Sequence, residues 1–249
     1  MIYNTLGKEY IMPLASPKIE ELIDKSEKHH CPPGSASHIC VKIKAVASLP
    51  SRFGDFQIVA FANDQDNKEH IALVHGDVNG QEDVPIRLHS ECLTGDVMGS
   101  LRCDCRDQLE GSLKSIGKMK FGVVLYLRQE GRGIGLINKL KAYQLQDVGY
   151  DTVEANKILG FQDDERDYDI AAHMLKSLEI KSIKLMTNNP RKINDLKSHG
   201  VNITGRIPIE IKPNKFNKKY LETKRNKSGH LLSKEILEQT DDLTAKEVN

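Results

Sequence analysis

The chain has 249 residues, long enough for one large or two small domains around an ordinary core, and its 36 Lys and Arg offset 35 Asp and Glu to leave a net charge of +1. Balanced charge argues against a general nucleic-acid binder, and the absence of Trp with few other aromatics leaves little for a base-stacking platform. No stretch approaches the roughly 18 apolar residues of a membrane span and the start lacks signal-peptide order, so no membrane partner is expected and the cytoplasm, where thiols stay reduced, is the expected location.

Residues 1–38 read as an appendage with room for a short helix in IEELIDKSEKHH before the Pro/Gly/Ser punctuation CPPGSAS. Cys31 and Cys40, with His29 and His30, lack a paired clip and are read as ordinary residues, not a second metal site. From 39 to 89, the short runs HICVKIKAVASL, FGDFQIVAFA, HIALVHGDV and VPIRLHS, parted by turns such as Asn79-Gly80, predict an antiparallel sheet. Leu109, Leu113 and Ile116 at helical spacing predict a helix in DQLEGSLKSIG, and the dense apolar run FGVVLYLRQ predicts a buried strand. The Gly-rich turn EGRGIG, a helix over LINKLKAYQLQDVG, a loop and a helix in DYDIAAHMLKSLEI follow. A second buried strand, KSIKLMTNN, leads into a helix PRKINDLKSHG with Pro190 in its first turn and Gly200 at its C-terminal cap. The sum is an α/β (α+β) chain: a mixed sheet core with N-terminal antiparallel strands and flanking helices. The domain is expected to span 39–232, with the polar tail 233–249 frayed.

Three cysteines, Cys92, Cys103 and Cys105, cluster in HSECLTGDVMGSLRCDCRDQ, and thiolates are the preferred ligands of tetrahedral zinc. A closed structural site needs a fourth ligand, for which His89 is the candidate. The single C-D-C clip with one distant partner fits better an open site at a loop-helix junction, leaving a position to water. Two strand-to-helix junctions add anion-binding chemistry. In Arg128 to Gly135 the glycines admit a close anion, the next helix offers free N–H groups, and Arg132 adds a cation. Thr187 to Lys192 supplies hydroxyl, amide and cationic groups together, although an Asn189 cap beside solvated charges accounts for it equally well. The acidic run GFQDDERDYD encloses a lone Arg166. Together these features suggest a small phosphorylated substrate facing a metal.

In order along the chain, RLHSECLTGD, SLRCDC, RQEGRGIGL, KAYQLQDVGYDTVEAN, DDERDY and LMTNNPRK resemble the motifs of GTP cyclohydrolase II, the family that opens the guanine ring of GTP at the entry to riboflavin biosynthesis. The resemblance covers about residues 41–232. It implies conversion of GTP to a diamino-(phosphoribosylamino)pyrimidinone with release of formate and pyrophosphate. Cys92, Cys103 and Cys105 would be the Zn2+ ligands, one ion per chain, with Mg2+ on the GTP phosphates. It implies GTP contacts by Arg87, Leu88, His89, Ser90 and Glu91, by Gln108, by Glu130, Gly131 and Arg132, and by Thr152, Thr187 and Lys192. Asp164 is implied as proton acceptor and Arg166 as nucleophile towards the α-phosphate; because a protonated guanidinium is a poor nucleophile, electrostatic stabilisation of the α-phosphoryl transition state by Arg166, oriented by Asp164, is the competing account. Tyr143 is associated in the family with completing both hydrolyses. A homodimer is implied, and because 38 residues are too few for the synthase domain fused to many relatives, a monofunctional enzyme is expected.

Two rivals remain at this point. His89-Ser90-Glu91 imitates the H-x-E element of zinc nucleobase deaminases, but the partner P-C-x-x-C is missing. A non-enzymatic nucleotide-sensing or RNA-binding module of the same fold would not need Tyr143, Asp164 and Arg166 together.

Overall fold

The computed structural model describes residues 17–28 and 39–239. Seven strands, β1 (Val41–Ser51), β2 (Gly54–Asn63), β3 (His70–His75), β4 (Val84–Ser90), β5 (Gly122–Leu127), β6 (Ile183–Met186) and β7 (Ile203–Ile207), form one mixed sheet in the order β1-β2-β3-β5-β4-β6-β7. The first three strands and β5 pair antiparallel. The fourth run departs from expectation. Strand β4 does not extend the antiparallel sheet but lies between β5 and β6, parallel to both, and β6 is parallel to β7. Its burial gives the reason: Val84, Ile86, Arg87, Leu88 and His89 are all buried, the pattern of a central strand covered on both faces.

Around the sheet lie α1 (Pro17–Lys28), α2 (Cys105–Ile116), α3 (Gly135–Asp147), α4 (Thr152–Ile158), α5 (Asp169–Ser177), α6 (Pro190–Ser198), α7 (Lys218–Asn226) and α8 (Lys234–Glu238). Side chains alternate across a strand. Ile86 and Leu88 of β4, Val123, Leu125 and Leu127 of β5, and Ile183 and Leu185 of β6 therefore share the larger core with Met174 and Leu175 of α5 and Leu196 of α6. On the other face, Val124 and Met186 pack against Leu113 and Ile116 of α2. Arg87 and His89 project to that second face, where α2 begins at Cys105.

Helix α1 realises the short helix expected in the appendage, and it is docked: Leu22 is buried and the Ser26 hydroxyl accepts from the Ile43 amide. The His29, His30 and Cys31 positions lie outside the described residues. Helix α4 stands where a loop was expected. Its signal is legible in Asp151-Thr152-Val153-Glu154: the Asp151 carboxylate accepts from the Val153 and Glu154 amides while Glu154 accepts from the Asp151 amide, a reciprocal capping box. Strand β7 and helices α7 and α8 are additions to the predicted elements. Within the described residues the expected frayed tail continues into α8, where Leu237 is buried. Helix α6 starts as predicted, with Pro190 in its first turn, Asn189 capping the Arg191 amide, and Gly200 just beyond its end at φ +81°.

Candidate active site

The carboxyl ends of the parallel strands β4, β5 and β6 open into one cleft of about 1210 Å3, mouth included. Ligands of open α/β sheets bind at such strand ends. After β4 the chain enters a π-helical turn, Leu93–Val97, that brings Cys92 back towards Cys103 and Cys105. The three sulfurs lie within 4.8 Å of one another, and Cys92 and Cys103 are 3.7 Å apart. The turn is pinned by Asp96, whose buried carboxylate accepts from the Cys92 amide (2.9 Å) and the Tyr126 hydroxyl (2.9 Å) and meets His89 Nε2 at 3.1 Å. His89 is thus turned towards Asp96 and stacked on Tyr126, and is not a fourth ligand; among the described residues the metal-ligand group is the three cysteines.

Two observations test whether these residues fit a metal ion. A Cβ on Gly95 would come within 2.8 Å of Cys103 Sγ and 3.1 Å of Cys92 Sγ, so the turn leaves room for sulfurs and nothing more. The thiols also compete for ionisation. Hydrogen bonds from Cys103 and Cys105, then the Lys139 ammonium, hold the Cys92 thiol far below its ordinary range, while the same sharing and burial push Cys105 well up. Three adjacent thiolates need more positive charge than one lysine supplies, and a dication meets that need. The residues fit. Lys139 Nζ donates to Cys92 Sγ (3.1 Å) and to Glu130 Oε1 (2.8 Å), and Glu130 in turn accepts from the Leu93 amide at 2.6 Å. The Gly-rich turn is thereby tied to the cysteine loop.

Across the cleft lie the cations. Arg87 donates to the Met186 carbonyl and to Gln108, and burial lowers its guanidinium to about 10. Arg166 makes a fork with Asp164, Nε to Oδ1 at 2.7 Å and Nη2 to Oδ2 at 2.6 Å. Burial alone would lower its pKa, but Tyr168 and Asp164 outweigh that and raise it; the same pairing lowers the Asp164 pKa against its own burial. Lys192 donates to the Leu88 carbonyl at 2.8 Å and has no carboxylate within ion-pairing distance among the described residues. Burial, then Arg87 and Arg166, push its ammonium well down. A buried amino group among the cations Arg87 and Arg166, with Asp164 as an opposing charge already engaged by Arg166, is suited to receive an anion. Arg132 holds a left-handed backbone, φ 62°, between Gly131 and Gly133, fixed by Nη1 to Asp163 Oδ1 at 2.6 Å and by the Glu165 amide on its carbonyl.

These strand-end loops have relatives. Residues 42–208 match the family model described as GTP cyclohydrolase II. The chain is 59% identical over 191 residues to the GTP cyclohydrolase-2 of Picrophilus torridus, covering 77% of this chain and 99% of that protein. It is 58% identical to the Campylobacter hominis protein of the same name, covering 77% and 96% respectively. This chain belongs to the GTP cyclohydrolase II family. It also matches the riboflavin biosynthesis protein RibBA of Endomicrobium trichonymphae at 60% identity, over 75% of this chain but 46% of that longer protein. Membership makes the chain a hydrolase of the riboflavin pathway that acts on GTP.

Most residues that the motif resemblance implies converge. Arg87, His89, Ser90, Glu91, Gln108 and the three cysteines line the cleft from the β4 side. Glu130, Gly131, Arg132, Tyr143 and Thr152 line it from the β5 side, and Arg166, Thr187 and Lys192 complete it. Two do not line it. The Leu88 side chain is in the larger core and only its carbonyl faces the site, through Lys192. Asp164 stands behind Arg166 as its partner. Sequence reasoning missed Lys139, Asp104, Lys224 and His230, which also line the cleft. Lys139 had a local signal, one turn before Tyr143 on α3. Lys224 and His230 had none, since they arrive from a segment about 120 residues beyond the cysteines: Lys224 Nζ reaches Asp104 Oδ1 at 2.8 Å.

Proposed function

We propose that this chain is a zinc-dependent GTP cyclohydrolase II that releases formate and pyrophosphate from GTP, leaving a diamino-(phosphoribosylamino)pyrimidinone. The observation that carries the reading is the placement, in one cleft, of a three-thiol cluster opposite a lysine without a carboxylate partner and flanked by Arg87 and Arg166. Cys92, Cys103 and Cys105 would hold the zinc, which when bound supplies Lewis-acid activation of water near neutral pH. Lys192, Arg87 and the Gly-rich turn bind the polyphosphate, and magnesium enters with it, the cysteines being the metal-ligand cluster among the described residues. Arg166 stays protonated in its fork with Asp164 and stabilises charge at the α-phosphorus instead of attacking it; Asp164 orients it. Tyr143 stands beside Thr94, hydroxyl oxygens 3.3 Å apart, on the wall shared with the cysteines, which supports a role in the second hydrolysis at the ring carbon.

The chain is proposed to form a homodimer, for which the exposed apolar side chains Ile137, Leu140 and Val148 on and after α3, and Val97 and Met98 of the cysteine loop, are candidate contacts. No helix among the described residues is long and apolar enough to cross a membrane, and an enzyme of this biosynthetic family is proposed to act in the cytoplasm. The test is incubation of the purified chain with GTP and magnesium, measuring formate, pyrophosphate and bound zinc. Equal formate and pyrophosphate with a single zinc per chain is expected, and Tyr143→Phe should lower formate relative to pyrophosphate. Bound zinc without either product would instead mean nucleotide sensing.

A further inference from the structure

We infer that His230, carried by the segment after α7, is a substrate-contacting residue: its imidazole donates a hydrogen bond to the phosphate chain of the bound nucleotide. The inference rests on the reading that the cleft takes GTP, and adds a residue that no motif in the sequence marked. His230 lines the cleft, yet its Nδ1 is enclosed and has no hydrogen-bond partner. Nδ1 is closed to the cleft as well as to protein partners, so the N–H that can meet a ligand is on Nε2; Arg87 Nε, His89 Nδ1 and Gln129 Oε1 of the same cleft are likewise enclosed without a partner, the mark of a wall whose polar groups await a ligand.

The surroundings define what that ligand group is. The charged groups acting on the ring come from four separate elements: Lys224 of α7, Arg132 of the Gly-rich turn, Lys192 of α6 and Arg166 of the loop before α5. All four are cations. Together with burial they hold the imidazole at about 3, so it stays neutral at any physiological pH and keeps one N–H to donate. A neutral donor ringed by cations is suited to a phosphate oxygen, which the cations attract and the ring then orients.

The segment is built into place. The His230 amide donates to the Lys224 carbonyl at 3.1 Å, and the Leu231 amide to the Asn188 carbonyl at 2.8 Å. Ser228 Oγ donates to Asp163 Oδ2 at 3.1 Å, the carboxylate that also fixes Arg132, and Lys224 is anchored on Asp104 between two of the cysteines. His230 is thus held against both the Gly-rich turn and the loop after β6.

The test is calorimetric binding of a nonhydrolysable GTP analogue and of GMP to the zinc-loaded full chain. In the unmodified protein the analogue should bind more tightly than GMP; equal binding would overturn the polyphosphate reading itself. His230→Ala should weaken the analogue by roughly ten- to a hundredfold while GMP changes less than about twofold. His230→Gln, which restores a donor, should recover most of the loss, a rescue that a purely structural role would not give. Unchanged analogue binding in His230→Ala, or an equal loss for analogue and GMP with no rescue by His230→Gln, refutes the contact.

Discussion

Gly95→Ala isolates the fit between the π-helical turn and the cysteine cluster. The added methyl would lie 2.8 Å from Cys103 Sγ, 3.1 Å from Cys92 Sγ and 3.1 Å from Cys105 Cβ, so at least one sulfur must move. Overpacking of this kind costs about 1–3 kcal/mol. At 2.8 Å the contact falls in the upper part of that range, about 2–3 kcal/mol, and alanine returns about 1 kcal/mol of helix propensity in a helical turn, so the net cost is roughly 1–2 kcal/mol. The cost falls on the arrangement that would bind metal, since Asp96 and Lys139 hold Cys92 against retreat. Zinc affinity should therefore drop about five- to thirtyfold. Gly111→Ala is the control: it is exposed on α2, and its methyl would meet only Ile211 Cδ1 at 3.9 Å. That variant should gain about 0.5–1 kcal/mol in stability with zinc affinity unchanged. Competition against a chromophoric chelator and urea unfolding of both proteins read the two effects. Gly95→Ala binding zinc within about twofold of the parent, at unchanged stability, would refute the argument.

Asp96→Ala orphans the Cys92 amide and the Tyr126 hydroxyl and strips His89 of its partner, and should destabilise the fold by about 3 kcal/mol in urea; a loss under about 1 kcal/mol would show that the carboxylate does not organise the turn. Lys192→Met removes a buried cation without a carboxylate partner, so stability should hold or rise by about 1 kcal/mol while affinity for a GTP analogue falls at least about tenfold. Undiminished binding in that variant would remove Lys192 from the phosphate site. His230 is held at about 3 in the fold against 6.5 in the free chain. Between those values the unfolded chain binds the extra proton, so this residue's contribution is full above about pH 6.5 and is lost as pH falls towards 3. His230→Gln should accordingly show a shallower acid decline in unfolding free energy than the parent, and parallel profiles would count against it.

Much of the active site was legible because its chemistry is local. The C-D-C clip, the glycines around Arg132 and the Asn-Pro start of α6 each announce a turn whose conformation follows from the residues within it. Asn189 shows the limit of that reading. The side chain does cap α6, as an ordinary helix start would require, but Lys192 one turn on is buried, not solvated, because α6 docks it beneath the end of β4. Likewise Leu88 sits inside a functional motif yet serves the core, for on a strand its neighbours Arg87 and His89 take the opposite face.

The sequence by itself determined the thiol cluster, the strand-to-helix junctions and the alternating elements, since each depends on spacing within a few residues. Tertiary structure decided where β4 pairs, because the apolar run VPIRLHS suits either an edge or a central place and only the helices on both faces fix the choice. It also decided that His89 meets Asp96 and stands apart from the cysteine cluster, and that Lys224 and His230 line the cleft. Those outcomes rest on contacts between residues up to about 120 positions apart, which packing creates and no local pattern encodes.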